Sequence, residues 1–156
     1  MEPSMRDIVS DILTWPWFSE PHGYNFNGHL VRDPGGNICI DPVEPTDDDM
    51  DALVGEGVAW IILTNRNHSR AANRVRAGTG ARTVIHADDA DHARNQETEL
   101  DDALQVGGTV GPLGVVALSD SKSLPQCTRP SSFMWMCCGV TDSTFSLSRA
   151  SLTRLG

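Results

Sequence analysis

The chain has 156 residues, 39% of them hydrophobic and 21% charged, enough for one domain with a real core and too few for two. Its net charge is −9, with Lys122 the only lysine, and this excludes nonspecific nucleic-acid binding, which needs clustered cations against phosphate. No apolar run approaches the roughly 20 residues that span a bilayer, and Glu2, Asp7 and Asp11 occupy the place of a basic signal-peptide start, so a cytoplasmic protein without membrane contact is expected.

In chain order, residues 4–14 predict a short amphipathic helix, with Ser4 as N-cap and Ile8, Ile12 and Leu13 on one side. Trp15-Pro16-Trp17-Phe18 ends it and reads as a core lid in preference to a ligand-stacking box. Two apolar runs, Asn25 to Arg32 and Asn37 to Pro42, flank Asp33-Pro34-Gly35-Gly36 and predict a β-hairpin. Thr46-Asp47-Asp48-Asp49 opens a helix through about Glu56, since carboxylates favour the positive end of the helix dipole. The same acidic run lacks the glycine and terminal glutamate of a calcium loop.

Val58 to Leu63 predicts a buried strand, Ser69 to Ala77 a helix capped by Ser69 and ended by Gly78 and Gly80, and Thr83 to His86 another strand. Asp88 to Gln96 reads as a weak helix, and Val106 to Leu118 as β-like. Strands alternating with helices predict an α/β layered fold. Cys39 reads as a buried free thiol, and adjacent Cys137-Cys138 lacks the spacing of zinc or redox sites. After Pro125 the composition changes: residues 126–156 hold one acidic residue, Asp142, against Arg129, Arg149 and Arg154. Rich in Ser, Thr and Cys and without periodicity, this tail has the character of a poorly ordered or non-native end, such as a reading-frame shift near Leu124 would produce. Three regions are therefore expected: an extension over 1–20, a domain over 21–125 and the tail over 126–156.

Tyr24-Asn25-Phe26-Asn27, Ile38-Cys39-Ile40-Asp41-Pro42, the helix from Asp48, Ile61-Ile62-Leu63-Thr64 and the turn Gly107-Gly108-Thr109-Val110 follow one another along the chain. In order and spacing these motifs resemble the N-terminal half of a metallo-β-lactamase-fold hydrolase. The resemblance covers about two thirds of the chain. It implies an αββα sandwich, here its N-terminal half with an incomplete or non-native second half. It also implies a metal-binding T-H-x-H-x-D-H loop after the Leu63 strand. Matched position by position, Asn65 and Asn67 stand at the first two histidines of that loop, Ser69 at its aspartate and Arg70 at its last histidine. Lys122 stands at the histidine of a later turn. Zinc is the family's metal, lowering the pKa of a bound water and polarising the substrate oxygen. Its ligands are imidazole nitrogens and carboxylates; a carboxamide is a poor substitute and a guanidinium none. No metal or other cofactor is therefore expected, and no alternative histidine set among His22, His29, His68, His86 and His92 has helical i, i+4 spacing.

Two lost ligand positions, Arg70 and Lys122, have become cations that could take over the metal's charge. The sequence thus suggests a metal-free pocket of Asn65, Asn67, His68, Ser69, Arg70 and Lys122 for a small carboxylate or phosphate, on a non-catalytic binding or scaffold protein. The competing reading makes Arg70 or Lys122 a salt bridge to Asp41 or Asp120. The alternative function is a hydrolase acting without metal or with a non-standard metal site. A triad of Ser69 or Ser121 with His68 and Asp41 is conceivable, but no nucleophile elbow supports it. The Gly-rich turns lack a nucleotide-binding context. The family sandwich is made of two halves that cover each other, so half of it is expected to self-associate.

Overall fold

The computed structural model describes residues 4–116. Seven strands form one sheet in sequence order: β1 (Arg6–Val9), β2 (Ile12–Ser19), β3 (Tyr24–Val31), β4 (Asn37–Ile40), β5 (Val58–Leu63), β6 (Arg82–His86) and β7 (Asp102–Leu104). The first four pair antiparallel and the last four parallel. Parallel neighbours need crossovers, and three helices supply them: α1 (Asp47–Glu56), α2 (Ala72–Thr79) and α3 (Ala87–Asn95). A two-stranded hairpin, β8 (Thr109–Val110) with β9 (Leu113–Gly114), follows.

The strand period of two sorts the side chains onto two faces. Leu13, Trp15, Leu30, Cys39, Ile61, Leu63 and Ile85 share one core with Leu53 of α1, Ala72 and Val75 of α2, and Ala90 and Ala93 of α3. On the opposite face Ile38, Ile40, Ile62 and Val84 pack with Val110, and Leu113 of the hairpin lies against them. Trp15 is fully buried, and its indole N–H donates to the carbonyl of Val43 at 3.1 Å. Cys39 is a buried free thiol, pushed well above its ordinary pKa chiefly by burial.

The region expected to be a helix over 4–14 is strand instead, and residues 6–19, expected to extend ahead of the domain, supply two strands of its sheet. The spacing of Ile8, Ile12 and Leu13 fits a helix. Eight residues of register against β3 override that local preference, from Ile12 opposite Val31 to Ser19 opposite Tyr24. Pro16 is tolerated because it lies beyond the last pairing with β1, where β2 has an open edge. Ser4 caps no helix of its own; its hydroxyl donates to Asp49 at 2.8 Å.

The helix predicted at Thr46 carries a full capping box, with Thr46 and Asp49 bonding each other's backbone N–H groups and Gly57 ending it in the left-handed region. The helix expected from Ser69 begins three residues later: Ala71 stands at its cap position with no side-chain hydrogen bond, and the Ser69 hydroxyl donates to Gln96 Oε1 at 3.2 Å. β7 was not evident in the sequence, being three residues long and opening on Asp102, the second of an acidic pair. No helix among the described residues is long and apolar enough to cross a membrane. Residues 126–156, the presumed tail, and Lys122, Asp120 and Ser121 lie outside the described residues.

Candidate functional site

The parallel strands β4 and β5 end side by side, and the loop after β5 folds back over both ends. β4 stops at Ile40, and Asp41 turns the chain with φ 47°, a left-handed conformation that Asp adopts more readily than most residues. The backbone N–H of Asp41 still donates to Ile62 at 3.0 Å, so its carboxylate is fixed at the mouth of the loop. Oδ1 accepts the Thr64 N–H at 2.7 Å, and Oδ2 accepts the Thr64 hydroxyl. Nδ1 of His68 lies 2.9 Å from the same Oδ2 and 3.4 Å from the Thr64 hydroxyl. Three groups from one loop thus converge on a single nearly buried carboxylate.

The loop residues predicted to form a pocket are close in sequence but do different work. Asn65 spends its carboxamide oxygen on the Asn67 N–H at 2.9 Å, and its carbonyl accepts the His68 N–H at 2.9 Å, a local turn built from Asn side-chain chemistry. The Asn67 carbonyl accepts from the Arg70 guanidinium at 3.3 Å. Ser69 points to Gln96, away from His68, so the Ser69–His68–Asp41 triad does not form; His68 and Asp41 alone meet. The ion pair between Arg70 and Asp41 that would make Arg70 a core strut is also not formed. The guanidinium lies over Phe26, 4.4 Å from the ring centroid, and 5.9 Å from that of Trp17. Burial lowers its pKa from the ordinary value, opposed by the nearby Asp41 and Tyr24, and it stays cationic.

Two more histidines point to the side of the sheet that carries Ile40 and Ile62. His29 is opposite Ile40 in the register, and His86 ends β6 and accepts the Asp88 N–H at 3.3 Å as the N-cap of α3. Burial lowers the pKa of His29, partly offset by the Asp41 charge.

Sequence reasoning gave Asp41 as a salt-bridge partner or as the acid of a triad with His68, and left Tyr24 and Phe26 outside the site. The signal for Asp41 was its place between the apolar run ending at Ile40 and Pro42, at a strand end where a carboxylate can reach back to the next strand. Phe26 and Trp17 could have been found through their register, since they face each other across β2 and β3 and lie beyond the end of β4.

The residue types decide whether a metal fits. The loop offers two carboxamides, a hydroxyl and a guanidinium at Asn65, Asn67, Ser69 and Arg70, none of them a good zinc donor. Among the described residues no three His, Cys, Asp or Glu side chains come together in a way that could hold a metal ion. The only close pair in the loop, His68 and Asp41, already uses its facing atoms on each other. Among the described residues, the side chains at these positions do not fit a two-metal centre.

The same strand and helix order occurs in known proteins. The metallo-beta-lactamase from Pontibacter korlensis is 15% identical with a TM-score of 0.55, over 70% of this chain and 57% of that one. That from Hirschia baltica is 10% identical with a TM-score of 0.55, over 75% and 61%. The Erythrobacter litoralis enzyme, crystallised with beta mercaptoethanol in its active site, is 16% identical with a TM-score of 0.53, over 67% and 50%. The chain spans about half the length of these structures, from 50% to 61%. Such low identities show a shared fold, the mixed α/β half of the αββα sandwich. Comparison with curated proteins gave no match. A family model described as the metallo-beta-lactamase superfamily matches residues 5–129, four fifths of the sequence, and the chain belongs to that superfamily.

Proposed function

We propose that this chain uses its hydrolase-like fold as a metal-free binding or scaffold protein for a small carboxylate or phosphate, with Arg70 as the principal anion contact. One observation carries the reading. Arg32, Arg74, Arg76 and Arg94 each pair with at least one carboxylate, whereas Arg70, like Arg6, Arg66 and Arg82, has no carboxylate ion pair among the described residues, and what sets Arg70 apart from those three is where it lies. It lies exposed against two rings at the loop where the family's metal chemistry is expected. A guanidinium presents a planar fork that matches a carboxylate or phosphate, and aromatic walls hold that fork in one orientation. Asp41 opposes an incoming anion, but its charge is shared among two Thr64 donors and His68. Asn67, His68 and Ser69 belong to the same loop, and Lys122, outside the described residues, is the second cation of the expected pocket.

The test is calorimetric titration of the full chain with inorganic phosphate and with acetate. Arg70→Ala should weaken binding at least tenfold, the loss of a charged hydrogen bond of about 1.5–3 kcal/mol. Equal affinity in wild type and Arg70→Ala would sink the proposal.

A second reading, a metal-free hydrolase, draws on the His68–Asp41 contact. Asp41 engages Nδ1, which leaves Nε2 as the nitrogen able to take a proton from water. Ester or phosphoester turnover that survives EDTA and disappears in His68→Ala would support it. Turnover unaffected by His68→Ala would remove it.

A further inference from the structure

Beyond Arg70 the rings do not stop. Phe26 touches three other aromatic side chains: Trp17 at 6.2 Å between centroids, Tyr24 at 5.0 Å and His22 at 5.4 Å, edge to face. His22 and Tyr24 also meet, at 5.7 Å. The cross-strand register explains the cluster: Trp17 pairs with Phe26 and Ser19 with Tyr24, so three aromatic positions share one face at the end of the β2–β3 hairpin. Trp17 and Phe26 pack at the margin of the helix-side core. Tyr24 is 40% exposed and His22 is exposed, so the outer half of the cluster meets solvent. His22 is tied to the hairpin by Ser19, its Nδ1 2.8 Å from the hydroxyl.

We infer that the anion taken at Arg70 is an aryl one, a carboxylate or phosphate attached to an aromatic ring, with the ring against Tyr24 and His22. The inference rests on the anion-binding reading above and adds the identity of the group next to the charge. Charge complementarity supplies one half: a cation without a carboxylate partner borders the rings. Ring chemistry supplies the other. Tyr24 and Phe26 offer faces and edges of opposite partial charge, which favour a flat aromatic partner over a saturated one of equal bulk. A long aliphatic anion would gain area but not this geometry. Phe26 lies against both, 4.4 Å from the Arg70 guanidinium and 5.0 Å between centroids from Tyr24, so ring and cation belong to one neighbourhood.

The experiment compares inorganic phosphate, phenyl phosphate and cyclohexyl phosphate on the full chain by calorimetry, with Tyr24→Ala and Arg70→Ala beside wild type. Tyr24 is a half-exposed side chain on a strand surface, so its truncation leaves the fold intact, which circular dichroism checks. The expected result is phenyl phosphate about fivefold to tenfold tighter than either of the other two, as one stacking contact gives. That preference should vanish in Tyr24→Ala while inorganic phosphate binds unchanged, and Arg70→Ala should weaken all three. If phosphate binds through Arg70 and phenyl phosphate is no tighter than cyclohexyl phosphate, the aryl inference is wrong and the anion site stands. If no phosphate binds, both fall.

Discussion

The helix-covered face of the sheet and the loop at the ends of β4 and β5 use neighbouring residues of the same strands and treat polar groups in opposite ways. On the helix face, polar atoms are consumed by structure. The Trp15 indole bonds the Val43 carbonyl, and buried Asp49 accepts from Ser4, Thr46 and the Met5 and Thr46 N–H groups. At the loop, Asp41 is also well satisfied, but one donor is a histidine and an unpaired guanidinium lies close by. The first arrangement can only be lost by unfolding. The second holds a guanidinium whose partner can change while the fold stays, which is what a binding site requires.

Substitutions that break the helix side should therefore be the most severe. A Cβ added at Gly28 would come within 2.4 Å of the Trp15 ring, which is fully buried and held by its own hydrogen bond. Gly28→Ala is expected to cost about 3 kcal/mol, read in urea unfolding as a lower midpoint. Asp49→Ala should follow at about 2 kcal/mol, because it removes half of the capping box and strands the Ser4 and Thr46 donors.

The loop should be gentler and should show its effects as pH dependence and specificity. Asp41→Asn keeps a residue that tolerates φ 47° and removes only the charge, for an expected loss of about 1–2 kcal/mol; Asp41→Ala should cost more by adding backbone strain. Equal losses for the two would show that the turn, not the carboxylate, holds the loop. His29 sharpens the contrast by pH. Its folded pKa is below the ordinary 6.5, so the unfolded chain binds the proton more readily. The stability it contributes is complete above about pH 6.5 and is lost as pH falls through the folded pKa. His29→Gln should flatten the drop in melting temperature between pH 7.5 and 5, and an unchanged drop would assign it to other groups.

How much of this was legible in the sequence follows the same division. The βαβ portion was readable from local signals: the acidic helix start after Thr46, the apolar run Val58 to Leu63 and the strand ending at His86 all stand where their patterns predict. The first hairpin strand was misread because Ile8, Ile12 and Leu13 satisfy a helical period, while the strand is set by pairing with residues up to 19 positions away. The site was half legible. Asn65, Asn67 and Arg70 could be placed by the family loop, since a ligand position is a matter of order along the chain. That Asn65 would spend its carboxamide on a turn, that Ser69 would reach Gln96 and that Arg70 would lie on Phe26 are matters of three-dimensional proximity, which order does not encode.

The smallest expected effect tests the comparison most directly. Arg76 and Arg70 both lie near α2, yet Arg76 pairs with Asp101 and Glu99, whereas Arg70 contacts rings and one carbonyl. Removing Arg76 leaves two carboxylates facing each other without a cation, and Asp101 also holds the Thr83 N–H at 2.7 Å. Removing Arg70 forfeits a cation–π contact and a neutral-acceptor hydrogen bond, and relieves the burial that now lowers its pKa. Arg70→Ala should therefore change the unfolding free energy by only about 0.5 kcal/mol while weakening anion binding at least tenfold. A loss of several kcal/mol from Arg70→Ala would make it a structural residue like Arg76, and the loop would then differ from the helix face in composition but not in purpose.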